Sequence, residues 1–119
     1  MKPEIQQFFK GDVEDGEETL LKYSHDASIF NIRPMVVVFP KDSADVEALV
    51  KWVNKNTEDK EKYPLGLSIT ARCAGTDMSG GAVGESIIMD FTRYMNKLIA
   101  FSPSTLQGEG RGEVSIFRF

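Results

Sequence analysis

The segment that decides the interpretation of this chain is Arg72-Cys73-Ala74-Gly75-Thr76-Asp77-Met78-Ser79-Gly80-Gly81-Ala82-Val83 (72–83). It lies between two apolar runs, 67–71 (LSITA) and 87–91 (IIMDF), that are typical of strands. Its residues are mostly small or hydroxylated, so that backbone N–H groups can approach a ligand closely. Successive N–H groups in such a turn form a concave site for an anion, typically a phosphate. We therefore expect a phosphate-binding loop of a nucleotide-cofactor protein.

A strand, a helix and a second strand are predicted immediately before this loop. Residues 36–39 (VVVF) form the β-branched and aromatic run expected of a strand buried on both faces. A helix over 43–55 follows, capped by Asp42 or Ser43. Its apolar face carries Val46, Leu49, Val50 and Val53. Together with strand 67–71 these elements make a βαβ unit, so we expect 36–39 and 67–71 to be parallel neighbours.

The flanking segments complete an α/β (α+β) fold. Residues 2–23 are predicted as two helical pieces joined by a solvated acidic connector at 12–18, which Gly11 and Gly16 interrupt. The apolar positions of the two pieces are Ile5, Phe8 and Phe9, then Leu20, Leu21 and Tyr23. Further strands are expected at 86–91, 98–101 and 114–117.

Composition limits the classes of function. The 119 residues suffice for one domain, with 41% hydrophobic and 27% charged residues, as in ordinary soluble proteins. A net charge of −4 without a basic stripe argues against nucleic acid and anionic membranes as partners. The longest apolar run, 35–39, is too short to span a bilayer, and the N-terminus resembles no targeting segment. The single cysteine, Cys73, excludes an internal disulfide or a cysteine-based metal cluster, so a cytoplasmic location and no metal site are expected.

Two common phosphate-binding motifs do not fit this sequence. There is no G-x-x-x-x-G-K-[ST], and the glycines of 72–84 do not have the G-x-G-x-x-G spacing. A strand rather than a helix follows the loop, so an anion would be held by the loop without a helix dipole behind it.

The wider pattern resembles one family closely. Strand, Pro40, helix and strand, then R-C-A-G-T-D-M-S-G-G and I-I-M-D-F-T-R-Y-M-N-K, are similar to the FAD-binding domain of the vanillyl-alcohol oxidase and p-cresol methylhydroxylase superfamily. The nearest branch is the FAD-linked oxidases that include D-lactate dehydrogenase and the flavin subunit of glycolate oxidase. The resemblance covers about residues 23–102. Matching positions are Pro34, Val37, Pro40, Arg72, Gly75, Thr76, Ser79, Gly80, Asp90, Met95 and Asn96.

The resemblance implies a site for the FAD pyrophosphate. The implied FAD-binding residues are Pro40, Arg72, Cys73, Ala74, Gly75, Thr76, Asp77, Met78, Ser79 and Gly80. Backbone groups of 73–77 would donate to the phosphates, the hydroxyls of Thr76 and Ser79 would add hydrogen bonds, and Pro40 would lie near the adenosine. Cys73 and Ala74 replace family glycines, which makes a positive φ costlier at these positions. Thr76 stands where some relatives carry the histidine that attaches FAD, so non-covalent FAD is expected.

The resemblance also implies a division of the chain and a reaction. Residues 1–32 would be a helical segment, 33–102 the α/β first lobe of a two-lobed FAD-binding domain, and 103–119 the start of the second lobe. The implied function is that of the N-terminal part of an FAD-dependent oxidoreductase, a 2-hydroxy acid dehydrogenase of the D-lactate or glycolate type. The remaining lobe and the substrate domain are expected to be missing, so that the fragment self-associates, binds FAD weakly and is inactive, with no catalytic residue of its own.

Other interpretations stay open at this stage. The chain could be a non-catalytic or remnant nucleotide-binding half-domain, or a relative of the FAD subunit of molybdenum hydroxylases. The glycine-rich segment could be an ordinary turn. Cys73 is expected to fill tight space rather than to act as a reactive thiol, and His25 to have a surface or capping role rather than a catalytic one. The Asp77 carboxylate is expected to point away from a phosphate, toward a local N–H group or solvent, and Trp52 lies off the main apolar face of its helix.

Overall fold

Three parallel strands and one antiparallel edge strand form the sheet of this protein. The computed structural model describes residues 1–98. The strands are β1 (Asp12–Glu14), β2 (Val36–Phe39), β3 (Ile69–Arg72) and β4 (Ile87–Asp90), and the helices are α1 (Lys2–Ile5), α2 (Glu17–Tyr23) and α3 (Ser43–Asn56). This arrangement confirms the α/β fold class and the strands expected near 36–39, 67–71 and 86–91.

The strand order is β1-β2-β4-β3, so β4 lies between the two strands expected to be neighbours. Ile88 of β4 pairs with Val37 of β2 on one side and with Thr70 of β3 on the other, both in parallel. The prediction that 36–39 and 67–71 are adjacent is therefore wrong, although the two strands do run parallel. The burial of the strands gives the reason. Every residue of β4 is buried, whereas β3 contains polar and partly exposed positions that suit an edge.

The prediction of a solvated acidic connector at 12–18 is wrong for residues 12–14, which form a strand. Asp12–Glu14 form β1, which pairs antiparallel with β2 and places Val13 opposite Val38. Val13 is buried, while the flanking Asp12 and Glu14 are partly exposed. Charged side chains on a three-residue edge strand discourage pairing with another chain, which fits the position of β1 at the edge of the sheet.

Side chains of the central strands alternate between two apolar clusters, one on each face of the sheet. The cluster on the α3 side contains Ile5, Phe9, Val13, Val36, Val38, Leu49, Ile87 and Met89. The cluster on the α2 side contains Leu20, Tyr23, Val37, Phe39 and Ile88. Burial on both faces confirms the interpretation of 36–39, and of the apolar positions predicted for the N-terminal pieces only Leu21 is exposed.

Helix α3 contacts the sheet through three of its four predicted positions, Val46, Leu49 and Val53. Asp42 is its N-cap and accepts a hydrogen bond from the N–H of Asp45 at 3.0 Å. Leu49 is fully buried, but Val50 is 50% exposed, so its assignment to the buried face is wrong. Trp52 takes that place, because its ring packs near Phe8 and Tyr63 at 6.2 and 6.3 Å between centroids. Contacts with segments distant in sequence therefore decide how the helix is rotated.

A buried carboxylate fastens the start of α3 to the N-terminal segment. Asp45 is almost fully buried, and its two oxygens accept hydrogen bonds from the backbone N–H groups of Lys10 at 2.9 Å and Lys41 at 3.0 Å. The first turn of a helix also favours negative charge. These contacts explain how a charged side chain is accommodated inside the fold.

Arg93 fastens the chain after β4 to the edge strand. Its guanidinium donates to Asp12 at 2.8 Å and to Glu14 at 2.6 Å, and it stacks on the Phe39 ring at 3.5 Å. The Tyr94 hydroxyl also donates to Asp12, at 2.7 Å. The Tyr94 hydroxyl and the Arg93 guanidinium hold the pKa of Asp12 below its ordinary value.

Several predictions about the C-terminal part fall outside the described residues. These are the strands at 98–101, apart from Leu98 itself, and at 114–117, together with the second-lobe segment 103–119. Within residues 1–98, no helix has the length and apolar content needed to cross a bilayer.

The rotation of α3 can be tested by comparing two neighbouring truncations. Leu49→Ala should lower the free energy of unfolding by about 2–5 kcal/mol, because it leaves a cavity in the core. Val50→Ala should change it by less than about 0.5 kcal/mol, because that side chain is half exposed. Urea unfolding followed by circular dichroism measures both. Equal losses would contradict the observed face.

The contacts of Asp12 predict how stability depends on pH. The lowered folded-state pKa means that the ionised carboxylate stabilises the fold above the unfolded-state value, and that this contribution is lost as pH falls through the folded-state value. The stability difference between the wild type and Asp12→Asn should therefore be present at neutral pH and shrink below about pH 4. Glu58→Gln, which removes an exposed carboxyl that forms no hydrogen bond or ion pair in residues 1–98, is the control variant. A pH-independent Asp12→Asn difference would contradict this assignment.

Candidate functional site

The glycine loop, defined as residues 73–86, connects β3 to its parallel neighbour β4 without a helix. It starts at the carboxyl end of β3, on the edge of the sheet where ligands bind in open α/β folds. Its second half covers the sheet, because Ala82, Val83 and Ser86 are buried. The first half, by contrast, is largely exposed. The loop therefore takes the place of a crossover helix and leaves its first residues accessible.

Two glycines of the loop have a backbone conformation that other residues rarely adopt. Gly75 has a φ of 70° and Gly80 a φ of 84°, and within residues 1–98 no other residue type has a positive φ. Cys73 and Ala74, which replace family glycines, therefore carry none of the strain expected from a positive φ. The two glycines that the conformation requires are still present.

Arg72 supports the loop from beneath Gly75. A Cβ atom on Gly75 would lie 2.4 Å from Nη2 of Arg72, so the guanidinium fills the space that a side chain would need. Nη1 donates to the carbonyl oxygen of Ala82 at 3.1 Å, which joins the two halves of the loop. The guanidinium carbon also lies 5.0 Å from the centre of the Tyr23 ring. Arg72 thus places a positive charge directly under the exposed half of the loop.

Asp77 forms a local turn inside the loop, which confirms the predicted direction of its side chain. Its Oδ1 accepts hydrogen bonds from the backbone N–H and the hydroxyl of Ser79, both at 2.7 Å. The Ser79 hydroxyl, the Ser79 N–H and the Gly81 N–H lower the pKa of Asp77, so the carboxylate is ionised at neutral pH. The N–H and hydroxyl groups of Ser79 therefore already have the Asp77 carboxylate as their acceptor.

The backbone N–H groups of the residues before this turn differ from those of the turn in their hydrogen bonding. In the part of the chain that the structure describes, the N–H groups of 73–77 donate to no protein acceptor. The exposed Thr76 hydroxyl is likewise without a hydrogen-bond partner there. Exposed N–H groups around a glycine of positive φ, above a guanidinium, are suited to an anion such as a phosphate. The residues present therefore fit the pyrophosphate of a dinucleotide.

A cleft of about 850 Å³ lies beside the loop at the carboxyl ends of the parallel strands. Cys73 lines it after β3, Phe91 after β4, and Val46 from the first turns of α3. Met95 and Leu98 add further apolar surface. A mostly apolar cleft next to an anion-binding loop can hold a planar ring attached to a phosphate.

The remaining predicted residues lie in different surroundings. Pro40 follows β2 directly and is buried, so it shapes the end of that strand. Met78 is 83% exposed at the tip of the loop, and Phe30 packs under Gly80, where a Cβ would lie 2.5 Å from its ring. His25 is exposed, outside the loop, and forms a backbone bridge with Asn31.

Asp90, which matches the end of the family pattern, supports the fold. It is buried, and it accepts hydrogen bonds from the Tyr23 hydroxyl at 2.5 Å and from the N–H and hydroxyl of Thr92 at 2.6 Å. Burial and the Asp90 carboxylate raise the pKa of the Tyr23 hydroxyl, which therefore stays protonated and donates. Sequence reasoning missed the roles of Tyr23 and Asp45. Only their pairing with distant segments reveals these roles.

Comparison with known proteins identifies the family. The family model described as "FAD binding domain" matches residues 34–109, which include the whole glycine loop. The chain belongs to this FAD-binding domain family. The match begins after α1, β1 and α2, so these elements lie outside the part on which the assignment rests.

Curated relatives of this FAD-binding domain are D-2-hydroxyglutarate dehydrogenases. The enzyme of Escherichia coli (strain K12) is 34% identical over 113 residues, which are 95% of this chain and 10% of that enzyme. The enzymes of Pantoea ananatis and Haemophilus influenzae are 31% and 29% identical over 93 residues, 78% of this chain and 8% of each enzyme. The chain thus spans about a tenth of the length of the curated relatives it matches.

The requirement for glycine in the loop of this FAD-binding domain can be tested with a matched pair. Gly75→Ala should lower the free energy of unfolding by about 1–3 kcal/mol, because alanine at positive φ is strained and its methyl group meets Arg72. FAD binding should weaken by about tenfold or more, measured by fluorescence titration.

Gly16→Ala is the control for this substitution. Gly16 has a φ of −66°, and no atom lies within 4 Å of a Cβ placed there. Its substitution should leave FAD binding unchanged. Equal weakening by the two variants would show that the conformation of Gly75 is not what FAD binding requires.

Proposed function

We propose that this chain provides the pyrophosphate-binding loop of a non-covalent FAD site in an oxidoreductase that acts on a 2-hydroxy acid. One observation carries the proposal. The family match over 34–109 coincides with a loop whose N–H groups at 73–77 have no acceptor in residues 1–98. In this proposal residues 33–102 form the first lobe of a two-lobed FAD-binding domain.

The described residues divide the binding of FAD between backbone and side chains. The backbone of 73–77 and the Thr76 hydroxyl donate to the phosphates, and the Arg72 guanidinium supplies a positive charge close by. The cleft beside Cys73 offers apolar surface to a ring of the cofactor. When bound, FAD supplies hydride acceptance at the flavin. Among residues 1–98 we assign no acid or base to this chemistry.

The substrate class follows from the relatives and is part of the proposal. Their names specify D-2-hydroxyglutarate, which is a 2-hydroxy acid like D-lactate and glycolate. Because the chain covers about a tenth of those enzymes, their activity draws on much sequence that has no counterpart here. The cytoplasmic location expected from the sequence also stays a prediction.

A nucleotide-binding half-domain without activity is the second candidate. It is favoured by the composition of the site, in which the groups suited to FAD are backbone donors, a guanidinium and a hydroxyl. Such groups bind phosphate but transfer no proton at neutral pH. The two candidates share the binding step and differ in whether a 2-hydroxy acid is oxidised.

Comparison of three flavin-related ligands tests the binding step. The purified chain should bind FAD with micromolar or weaker affinity, and ADP should compete, because both carry the pyrophosphate. Riboflavin, which lacks phosphate, should bind at least about tenfold more weakly. Isothermal titration calorimetry measures all three ligands. Equal affinity for FAD and riboflavin would contradict a role for the loop.

Two further measurements separate the candidates and test the mode of attachment. Acid precipitation should release all of the flavin, since binding is non-covalent. The chain with saturating FAD should reduce no dye in the presence of D-2-hydroxyglutarate, D-lactate or glycolate, whereas a longer protein containing it should oxidise one of them. Lack of oxidation by that longer protein would favour the half-domain.

A further inference from the structure

Tyr23 joins the three parallel strands near the glycine loop. It is the last residue of α2 and is 7% exposed. Its ring meets the edge of the Phe39 ring at 5.9 Å between centroids, and its hydroxyl donates to Asp90 at 2.5 Å. Its ring and its carbonyl oxygen also face the guanidinium of Arg72, at 5.0 and 3.5 Å. Tyr23 precedes the residues matched by the family model, so the comparison assigns it no role.

The groups that hold the guanidinium of Arg72 are neutral. Nη1 donates to the carbonyl oxygens of Ala82 and, at the longer distance, Tyr23, and the ring of Tyr23 provides a negative π face. In residues 1–98 Arg72 forms no salt bridge with a carboxylate. These neutral partners fix the direction of the side chain without a direct ion pair, and Asp90 is its register partner on β4.

The position of this charge and the shape of the loop are linked. The guanidinium lies in the space that a Cβ of Gly75 would occupy, 2.4 Å from Nη2. Displacement of Arg72 would therefore withdraw both the support beneath Gly75 and the charge beside the open N–H groups. The hydrogen-bond acceptors of the Arg72 guanidinium in residues 1–98 are backbone carbonyl oxygens. The Tyr23 ring, by contrast, is a side-chain contact, and it comes from outside the loop.

We propose that Tyr23 is a positioning residue for the pyrophosphate site, acting through Arg72. Its ring holds the guanidinium beneath Gly75, and its hydrogen bond to Asp90 fixes the ring relative to β4. Helix α2, outside the family match, is then part of the FAD site. This inference rests on the proposed function, because it assumes that the loop binds the phosphates of FAD.

A purely structural role for Tyr23 would predict loss of stability alone. The test therefore compares Tyr23→Leu with Tyr23→Phe and with Leu20→Ala. Tyr23→Leu removes the aromatic face, Tyr23→Phe keeps the face and removes the hydroxyl, and Leu20→Ala opens a cavity in the same cluster of the same helix. The Leu20 side chain has neither a ring nor a polar atom with which to hold a guanidinium.

The affinity for FAD and its dependence on salt are measured for each variant of the full chain. Tyr23→Leu should raise the Kd for FAD about tenfold and weaken its salt dependence, because a charge near the phosphates is displaced. Tyr23→Phe should raise the Kd by no more than about threefold, because the aromatic face remains. Leu20→Ala should lower the unfolding midpoint and leave both the Kd and its salt dependence unchanged.

The outcomes separate the inference from the proposed function. If the wild type binds no FAD, the proposed function fails. If it binds FAD and Tyr23→Leu behaves like Leu20→Ala, only the positioning role is overturned. Should Tyr23→Leu fail to fold, Tyr23→Met, which also removes the aromatic face but keeps a long apolar side chain, provides the second arm. It should raise the Kd about tenfold with a weaker salt dependence, and an unchanged Kd would overturn the proposal.

Discussion

Strand β4 is hydrogen-bonded on both sides and buries side chains on both faces, so the other elements are positioned relative to it. It pairs in parallel with β2 and β3. Ile87 and Met89 contribute to one apolar cluster and Ile88 to the other. Because β3 and β4 are adjacent and parallel, the chain between them must return from one end of the sheet to the other. The glycine loop makes this return without a helix, and its second half packs on the sheet as it does so.

The loop divides into two parts that differ in whether their backbone N–H groups have an acceptor in the described residues. The backbone N–H groups of residues 79–81 interact with the Asp77 carboxylate, so an anionic side chain of the loop already serves as their acceptor. The N–H groups of 73–77 are satisfied by nothing in the described residues. Cys73 and Ala74 are accommodated because neither has a positive φ. Gly75 and Gly80 cannot be exchanged so freely, because of their positive φ.

Local sequence predicts local structure well in this protein, and its failures have a common cause. The β-branched run of β2, the Asp42 cap and the Asp77 turn follow from interactions within a few residues. The order of the strands does not, because periodicity predicts burial but not which strand lies beside which. Likewise, Trp52 rather than Val50 lies on the buried side of α3 because its ring packs near Phe8 and Tyr63, which lie outside the helix.

The same distinction applies to the candidate site. The loop residues are contiguous, so composition alone indicates an anion site and the family resemblance specifies FAD. Tyr23 lies 49 residues before Arg72, and nothing in its immediate sequence indicates the contact. Asp45, too, is recognisable as a structural carboxylate only when Lys10 and Lys41 are seen against it. Groups that support a site from other elements are the ones that sequence reasoning misses.

The short edge strand β1 makes the two sides of the sheet unequal. Along β1 the carboxylates of Asp12 and Glu14 are engaged by Arg93, so that edge is short, charged and covered by the chain that follows β4. On the other side, β3 ends the sheet within residues 1–98 and carries no such ion pairs there. In the described part of the chain, the two edges therefore differ in charge and in direction, since β1 is antiparallel to its neighbour and β3 is parallel to its own.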